Sequence, residues 1–354
     1  MRLVITGGGT GGHIYPALEV GRFAREHGVD LQYLGSLRGQ ESKICQPLEI
    51  PFFGFPSEPL VSLRSIKGIK AILRLQRARK LARVVLKDLA PDIVFSTGGY
   101  SAGPVVAAAK DLKIPYNIHS ADSVPARSSS MFAKDAFAFS CTFRSTVEFL
   151  SNISVVRTGQ PIRKELREAA AHKSEGEPLV LVVGGSQGSK FLNESVPEAA
   201  ALGEFMTPVL HVSGPKHLES TQQLVEKLDI EVRYKVVPFL NATEMSDAYL
   251  RASVVVARSG GTLAELALFG LPSVLIPLPN SASDHQVHNA VEFVNLRAAT
   301  QIRQSDGTPE KLSTAVNSWL KNRDRRLTAA RNLEKWDVPD ATEQIYKLIE
   351  LAVP

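Results

Sequence analysis

The stretch VITGGGTGGHIYPALEV, residues 4–20, decides the fold. A short β-branched run enters a turn in which five of the six residues from 7 to 12 are glycine, and a helical apolar pattern follows. Strand, glycine turn and helix together bring backbone N–H groups to a diphosphate at a helix start. Gly7, Gly9 and Gly12 satisfy GxGxxG, so a nicotinamide-binding unit is the immediate rival. That unit wants an acidic residue at the end of its second strand to hold a ribose. Here the second strand, read at residues 31–34, runs into Gly35 and Ser36, and Asp30 lies at its wrong end. GxxxxGK[ST] is also absent, which excludes a nucleoside-triphosphate P-loop. His13, on the first helical turn beside the glycines, is a candidate general base; the plainer alternative is that its ring only hydrogen-bonds the glycine loop.

Outward from that turn, strands and helices alternate. The pattern predicts a strand at residues 3–6, a helix at 16–27 opened by Pro16, and strands at 31–34, 92–96 and 116–119. The same grammar restarts at EPLVLVVGGSQGSKFLNESVPEAA (177–200), where a strand at 179–183 meets a second glycine turn. Further strands are predicted near 209–212, 234–236, 253–256 and 273–276. The class is therefore α/β, in two domains, which a chain of 354 residues with 44% hydrophobic content fills comfortably. VVRTGQPIRKEL (155–166), with a glycine, a proline and a fall in apolar content, marks the boundary.

Composition narrows the setting. No signal peptide precedes the first strand, no window offers a membrane span, and Cys45 and Cys141 sit among apolar or aromatic neighbours, which predicts core thiols in a reducing compartment. The net charge of +5 is unevenly spread: residues 60–87, LVSLRSIKGIKAILRLQRARKLARVVLK, hold nine basic side chains and no acidic one. Ile66, Ile69, Leu73, Leu81, Val84 and Val85 recur at helical spacing among them. Three readings fit this pattern: an anionic bilayer surface, a sheet-packed helix with a solvated basic face, or a phosphate-backbone binder. No zinc-finger spacing, RNA-binding aromatic motif or recognition helix supports nucleic acid.

Seven blocks then occur in a fixed order: GGGTGGHIYPAL (7–18), STGGYSAGP (96–104), TGQPIR (158–163), GGSQGSKFLN (184–193), VVPFL (236–240), ARSGGTLAEL (257–266) and PLPNSASDHQVHNA (277–290). The ordered set resembles the MurG family, the membrane-associated N-acetylglucosaminyltransferases of peptidoglycan synthesis. The resemblance implies a GT-B fold, two Rossmann-like domains facing a deep cleft. Residues 1–157 would form the acceptor and membrane-associating domain, completed by a final helix within 339–354, and residues 158–338 the UDP-GlcNAc-binding domain. It further implies inverting transfer of N-acetylglucosamine from UDP-GlcNAc to the C4 hydroxyl of the MurNAc sugar of undecaprenyl-diphospho-MurNAc-pentapeptide (lipid I), giving lipid II. The setting so implied is peripheral, at the cytoplasmic face of an anionic inner membrane, with other cell-wall synthesis and division proteins as partners.

By the same resemblance His13 is the base. Donor contacts fall to Thr10, Gly11, Gly12, Arg163, Ser186, Gln187 and Gly188 around the diphosphate, Phe239 and Leu240 at uracil, Gly261 and Thr262, Glu265 at the ribose hydroxyls, and His285 and Gln286 at the sugar, with Asn289 behind that loop. Acceptor contacts fall to Gly9, Thr10, Gly99, Tyr100, Ser101 and Asp122. For Arg163 an interdomain salt bridge is the plain alternative, for Glu265 a capping box with Thr262, and for His285 a solvent-facing ring. No DxD motif and no helical histidine–carboxylate cluster occurs, so neither a metal nor another cofactor is expected.

Three departures stand out. HSADSVPA (119–126) carries Ser120, Ala121 and Asp122 where the family has a polar trio, HVSG (211–214) carries Val212 at a usually polar position, and the block at 257–266 is one residue short between Arg258 and Glu265. Asp122 is thus an alternative base. A related GT-B transferase with another lipid or small acceptor, and a non-enzymatic paralogue, are the competing functions; a dehydrogenase lacks its acidic residue.

Overall fold

The computed structural model describes residues 1–57, 66–172, 176–185, 187–203, 205 and 207–353, with backbone alone over 66–72. Residues 60–65 of the basic stretch and Ser186 of the second glycine turn lie outside the described residues. The chain forms two compact units, Met1–Arg163 with Val338–Pro354, and Lys164–Asp337.

In the first unit β1 (Arg2–Thr6), β2 (Asp30–Ser36), β3 (Phe52–Phe55), β4 (Ile93–Ser96), β5 (Tyr116–Ser120), β6 (Ala138–Cys141) and β7 (Val155–Arg157) make one sheet in the order β3-β2-β1-β4-β5-β6-β7. Every described pairing is parallel, with Leu3 opposite both Leu31 and Ile93. Strand alternation sends Leu3 and Ile5 to one face and Val4 to the other, and all three are fully buried. The first face meets helix Gly11–Glu26 through Ile14, Ala17 and Val20, and helix Ala341–Glu350 through Ile345, Tyr346 and Ile349. The second meets helix Ile66–Leu89 through Ala78, Ala82 and Leu86, and helix Ala102–Asp111 through Val105, Ala108 and Ala109. Each fully buried aliphatic side chain contributes about 1.5–3 kcal/mol. The last helix is also pinned by Asn117, whose Nδ2 donates to the Leu348 carbonyl at 2.9 Å.

The second unit repeats the plan. β8 (Leu179–Val183), β9 (Val209–Val212), β10 (Tyr234–Val237), β11 (Ala252–Ala257), β12 (Ser273–Leu275) and β13 (Ala299–Gln301) are parallel in the order β10-β9-β8-β11-β12-β13. Every residue of β8 is buried, as an apolar run covered on both faces requires. Trp319, fully buried on helix Pro309–Leu320, donates from Nε1 to Thr300 Oγ1 at 3.1 Å, and the Arg325 guanidinium stacks 3.5 Å from its ring centroid. In both sheets the strand order reverses beside the first strand, between β1 and β4 and between β8 and β11. Such a reversal opens a crevice at the carboxyl ends of the strands.

Two sequence expectations change in detail, and the cysteines are buried thiols as expected. The first helix begins at Gly11, with Pro16 inside it rather than in its first turn. A proline there withholds one N–H from the Gly12 carbonyl and crowds it, a helix-interior cost that a first-turn proline avoids. Asp30 opens β2 and pairs with Arg2 Nε at 2.6 Å, an exposed contact far from the crevice end of the strand. Both cysteines are buried and unbridged, and burial, with Glu41 adding to it, pushes the Cys45 thiol up to about 12.

The glycines serve a packing purpose that motif spacing does not reveal. A Cβ on Gly99 (φ +84) would sit 1.9 Å from the Gly8 carbonyl oxygen, and the Gly8 N–H donates to the Gly98 carbonyl at 3.2 Å. The two turns thus touch backbone to backbone. In the second unit a Cβ on Gly188 (φ +76) would sit 1.9 Å from the Ser213 carbonyl oxygen, and one on Gly214 2.6 Å from that of Gln187. Asn193 Nδ2 reinforces the contact by donating to the Ser213 carbonyl at 3.0 Å.

Gly28→Ala and Gly99→Ala separate backbone conformation from close approach. Gly28 (φ +78) has nothing within 4 Å of its missing Cβ. Its alanine variant should lose about 1–2 kcal/mol in urea unfolding. Gly99→Ala carries the same conformational cost and displaces a backbone oxygen, so its loss should exceed that of Gly28→Ala. Equal losses would show that the turns do not interlock.

Acid should also destabilise the fold. Burial pushes His119 down to about 4, opposed by the Gln160 hydrogen bond and helped by His13, and burial pushes His211 down to about 3, against an ordinary 6.5. As pH falls below 6.5 the unfolded chain takes up protons that these folded rings do not. Stability is therefore full above that value and falls with acidification by about 1.4 kcal/mol per pH unit per histidine. Urea midpoints between pH 7 and 5 should follow this slope, and His211→Gln should lower it by one proton.

Candidate functional site

In the first unit the turns after β1 and β4 flank the crevice. The Tyr33 hydroxyl donates to the Gly7 carbonyl from below. Gly9 (φ +96) leaves room for Tyr100, whose ring would lie 2.6 Å from a Cβ on that glycine. Ser101, fully buried, precedes helix Ala102–Asp111, and Thr10 is the exposed N-cap of helix Gly11–Glu26. Gly11 and Gly12 form the opening of that helix.

His13 is held at two points by one residue. Its Nδ1 lies 2.9 Å from the Thr97 carbonyl, and the Thr97 hydroxyl donates to the His13 carbonyl at 2.6 Å. A carbonyl can only accept, so Nδ1 carries the hydrogen and the lone pair of the neutral ring sits on Nε2. That is the tautomer a base needs. Two residues on, Tyr15 lies under the Arg163 guanidinium, 4.8 Å from ring centroid to Cζ. Arg163 thus ends the first unit, stacked beside the His13 turn.

His119, at the carboxyl end of β5, is fully buried against Ser140 Oγ, Thr142 Oγ1 and Gln160 Oε1 at 3.0, 3.2 and 3.3 Å. In the HSAD segment that follows, the Ser120 hydroxyl donates to the Asp122 carbonyl at 2.9 Å, and Asp122 itself is half-buried. Gly9, Thr10, His13, Gly99, Tyr100 and Ser101 therefore share the β1–β4 crevice, with Asp122 one strand further along.

In the second unit, Gln187 is exposed and Gly188 carries the interlock described above. Ser189 then caps helix Lys190–Ala201, accepting from the Leu192 N–H at 3.4 Å. Four N–H groups at that helix start face away from intrahelical partners and carry its positive dipole end. Phe239 is 60% exposed and Leu240 half-buried, just ahead of the capping box in which Asn241 and Glu244 bond reciprocally at 3.0 and 2.8 Å. This capping box opens helix Ala242–Arg251.

The alternative capping box at Thr262 does not form. Helix Thr262–Leu268 takes Gly261 as N-cap, so Glu265 is its fourth residue, and Glu265 Oε2 accepts from the Tyr249 hydroxyl at 2.6 Å. Gln286 braces the loop before it: its Oε1 accepts from the Leu278 N–H at 2.9 Å and its carbonyl from Ser259 Oγ at 2.7 Å. His285 Nδ1 lies 2.9 Å from the Ala282 carbonyl, and Asn289, fully buried, donates to the Ser259 carbonyl at 2.9 Å.

Sequence reasoning missed Thr97, Tyr249 and Arg258. Arg258 donates to the Ile276 and Pro277 carbonyls at 3.0 and 3.2 Å and to Gln304 Oε1 at 2.7 Å, and burial pushes it down to about 10. An arginine directly after β11, at the crevice end of a central strand, was the available signal. Among the described residues no group of three or more His, Cys, Asp or Glu side chains is placed to hold a metal ion.

Residues 3–138 match the glycosyltransferase family 28 N-terminal domain, and residues 179–345 its C-terminal domain. A UDP-N-acetylglucosamine--N-acetylmuramyl-(pentapeptide) pyrophosphoryl-undecaprenol N-acetylglucosamine transferase of Desulforamulus reducens is 33% identical over 371 aligned residues, covering 100% of this chain and 99% of the relative. The Coxiella burnetii protein of the same name is 34% identical, covering 97% and 96%. Among solved structures, Acinetobacter baumannii MurG superposes with a TM-score of 0.78 at 28% identity, covering 99% of each chain. A UDP-GlcNAc 2-epimerase from Neisseria meningitidis shares the fold at a TM-score of 0.68 and 13% identity, covering 99% of this chain and all of that one. With a parallel Rossmann-like sheet in each unit and this full-length identity, the chain belongs to the MurG family of glycosyltransferase family 28.

Proposed function

We propose that the protein transfers N-acetylglucosamine from UDP-GlcNAc to the C4 hydroxyl of the muramoyl sugar of lipid I, giving lipid II. The observation that carries this reading is His13, held by Thr97 in the tautomer that leaves Nε2 as acceptor, in a chain similar end to end to transferases named for that reaction. The acceptor O–H bond gives its proton to Nε2, the oxygen forms a bond to the anomeric carbon from the face opposite the diphosphate, and the carbon–oxygen bond to UDP breaks with its electron pair. Transfer on that path inverts the anomeric centre. The negative charge that grows on UDP is stabilised by fixed donors. Gly184, Gly185, Gln187 and Gly188, with the N-terminus of helix Lys190–Ala201, suit that task. Glu265 is assigned to the ribose hydroxyls, the segment at Phe239 and Leu240 to uracil, and Gln286 and His285 to the sugar. Gly9, Thr10, Gly99, Tyr100 and Ser101 are assigned to the lipid-linked diphosphate.

Transfer of labelled N-acetylglucosamine to a lipid I analogue tests the assignment. His13→Ala should lower kcat by roughly 10²-fold or more with UDP binding retained, and the product linkage should be β by NMR. If Asp122→Ala loses activity and His13→Ala does not, the base is Asp122. Tight UDP binding without transfer to lipid I would favour a different acceptor for the same fold.

The lipid acceptor calls for membrane contact, and helix Ile66–Leu89 offers the surface. Its exposed side carries Leu73, Leu81 and Val84 among Arg77, Lys80, Arg83 and Lys87, while Ala78, Ala82 and Leu86 hold it to the sheet. No described helix is long and apolar enough to cross a bilayer. We assign this side to the anionic cytoplasmic leaflet, where apolar insertion and basic attraction add. Leu81→Ser with Val84→Ser should weaken co-sedimentation with anionic vesicles several-fold while leaving transfer to a soluble acceptor unchanged. Equal binding to zwitterionic vesicles would exclude the electrostatic part.

A further inference from the structure

Tyr249 occupies a place in the second unit that packing alone does not explain. It lies on helix Ala242–Arg251, is 1% exposed, and stacks on Phe269 with ring centroids 5.0 Å apart. A phenylalanine would fill that role. The hydroxyl is used instead on a carboxylate one helix away, donating to Glu265 Oε2 at 2.6 Å. A glutamate in the first turn of a helix ordinarily turns toward the unpaired N–H groups at that helix start. Here a phenol from a different helix engages the carboxylate.

The two helices follow β10 and β11, strands at opposite sides of β9 and β8 in the sheet. The helix that carries Tyr249 is fixed at its start by the Asn241–Glu244 capping box, immediately after Phe239 and Leu240. A rigid helix therefore joins that segment to the orientation of Glu265. An ionised carboxylate accepts on two oxygens, with about four lone-pair directions, so the Tyr249 hydroxyl can set its rotamer while a vicinal diol uses other directions.

We propose that Tyr249 is the positioning residue that orients the Glu265 carboxylate for the two ribose hydroxyls of the UDP moiety, and so ties recognition of the ribose to the segment assigned to uracil. This rests on the reading of Glu265 as the ribose ligand. The phenol does not touch the nucleotide; it holds the group that does. Its contribution is accordingly specific to nucleotides that have both hydroxyls.

Calorimetric titration of the full-length protein with UDP and with 2′,3′-dideoxy-UDP tests this, using the parent protein, Glu265→Ala and Tyr249→Phe. Phenylalanine keeps the ring and its stacking, and thermal unfolding checks that each variant is folded. The parent should prefer UDP over the dideoxy analogue, and Glu265→Ala should erase that preference. Tyr249→Phe should weaken UDP binding roughly tenfold and leave binding of the dideoxy analogue within about twofold. Unchanged UDP binding by Tyr249→Phe, with the preference erased in Glu265→Ala, would overturn the positioning role alone. Equal weakening of both nucleotides would overturn it in favour of packing. A preference that survives in Glu265→Ala would remove the ribose reading and the proposal with it.

Discussion

Contact between backbones, with no side chain between them, is the constraint on which the glycine turns of both units depend. The Gly8 carbonyl occupies the volume a side chain on Gly99 would need, and the Ser213 carbonyl does the same to Gly188. In each unit two successive turns at the carboxyl edge of the sheet are thereby brought closer than any other residue permits. Close approach aligns their N–H groups and, in the first unit, brings Thr97 within bonding distance of His13. A looser pair of turns would lose both effects together. The glycine run is thus as much a packing motif as a binding one, which GxGxxG spacing cannot distinguish.

The clamp on His13 shows how such packing becomes chemistry. Thr97 uses its carbonyl and its hydroxyl on the same neighbour, so the imidazole has a fixed tautomer before any substrate arrives. Behind it, His119 is kept neutral by full burial and is held by three hydroxyl or amide groups. Burial thus keeps a second cationic ring away from His13. In the second unit a charged side chain joins amides in this role. Arg258 binds the Ile276 and Pro277 carbonyls just after β12, and Gln286 and Asn289 close the following loop onto Ser259.

The residues that sequence made legible are those whose type is dictated locally. The central strands β1, β4, β8 and β11 are buried on both faces, and their apolar runs announce themselves. β3, β7 and β13 stand at sheet edges, have three or four residues, and mix polar, exposed or glycine positions; their strand state comes from pairing with a neighbour, as Phe52 does opposite Tyr33. β6, an interior strand of four residues ending in Ser140 and Cys141, is too short for an apolar run to mark it. For the site, the glycine turns and His13 were visible because strand, turn and helix surround them. Thr97, Tyr249 and Arg258 act through partners 84, 16 and 18 residues away, and no local pattern records such pairs. Pro16 misled because its favoured place at a helix start is a preference, while Gly11 and Gly12 begin the helix earlier.

The same distinction bears on the HSAD segment, where this chain leaves the family pattern. Its histidine remains the buried, hydrogen-bonded end of β5, so the strand is anchored as a scaffold position requires. Ser120 then spends its hydroxyl on the Asp122 carbonyl, and Thr146 Oγ1 donates to that carbonyl at 3.4 Å. The backbone of the turn is thus satisfied from within the first unit. What the chain offers beyond β5 is then Ser120, Ala121 and Asp122, two short side chains followed by one carboxylate. Neither the interlock at Gly99 nor the clamp on His13 involves these residues. Divergence here alters what the first crevice presents while the interlock and the clamp on His13 stay as they are, so a change of acceptor would leave its mark in HSAD before anywhere in the second unit.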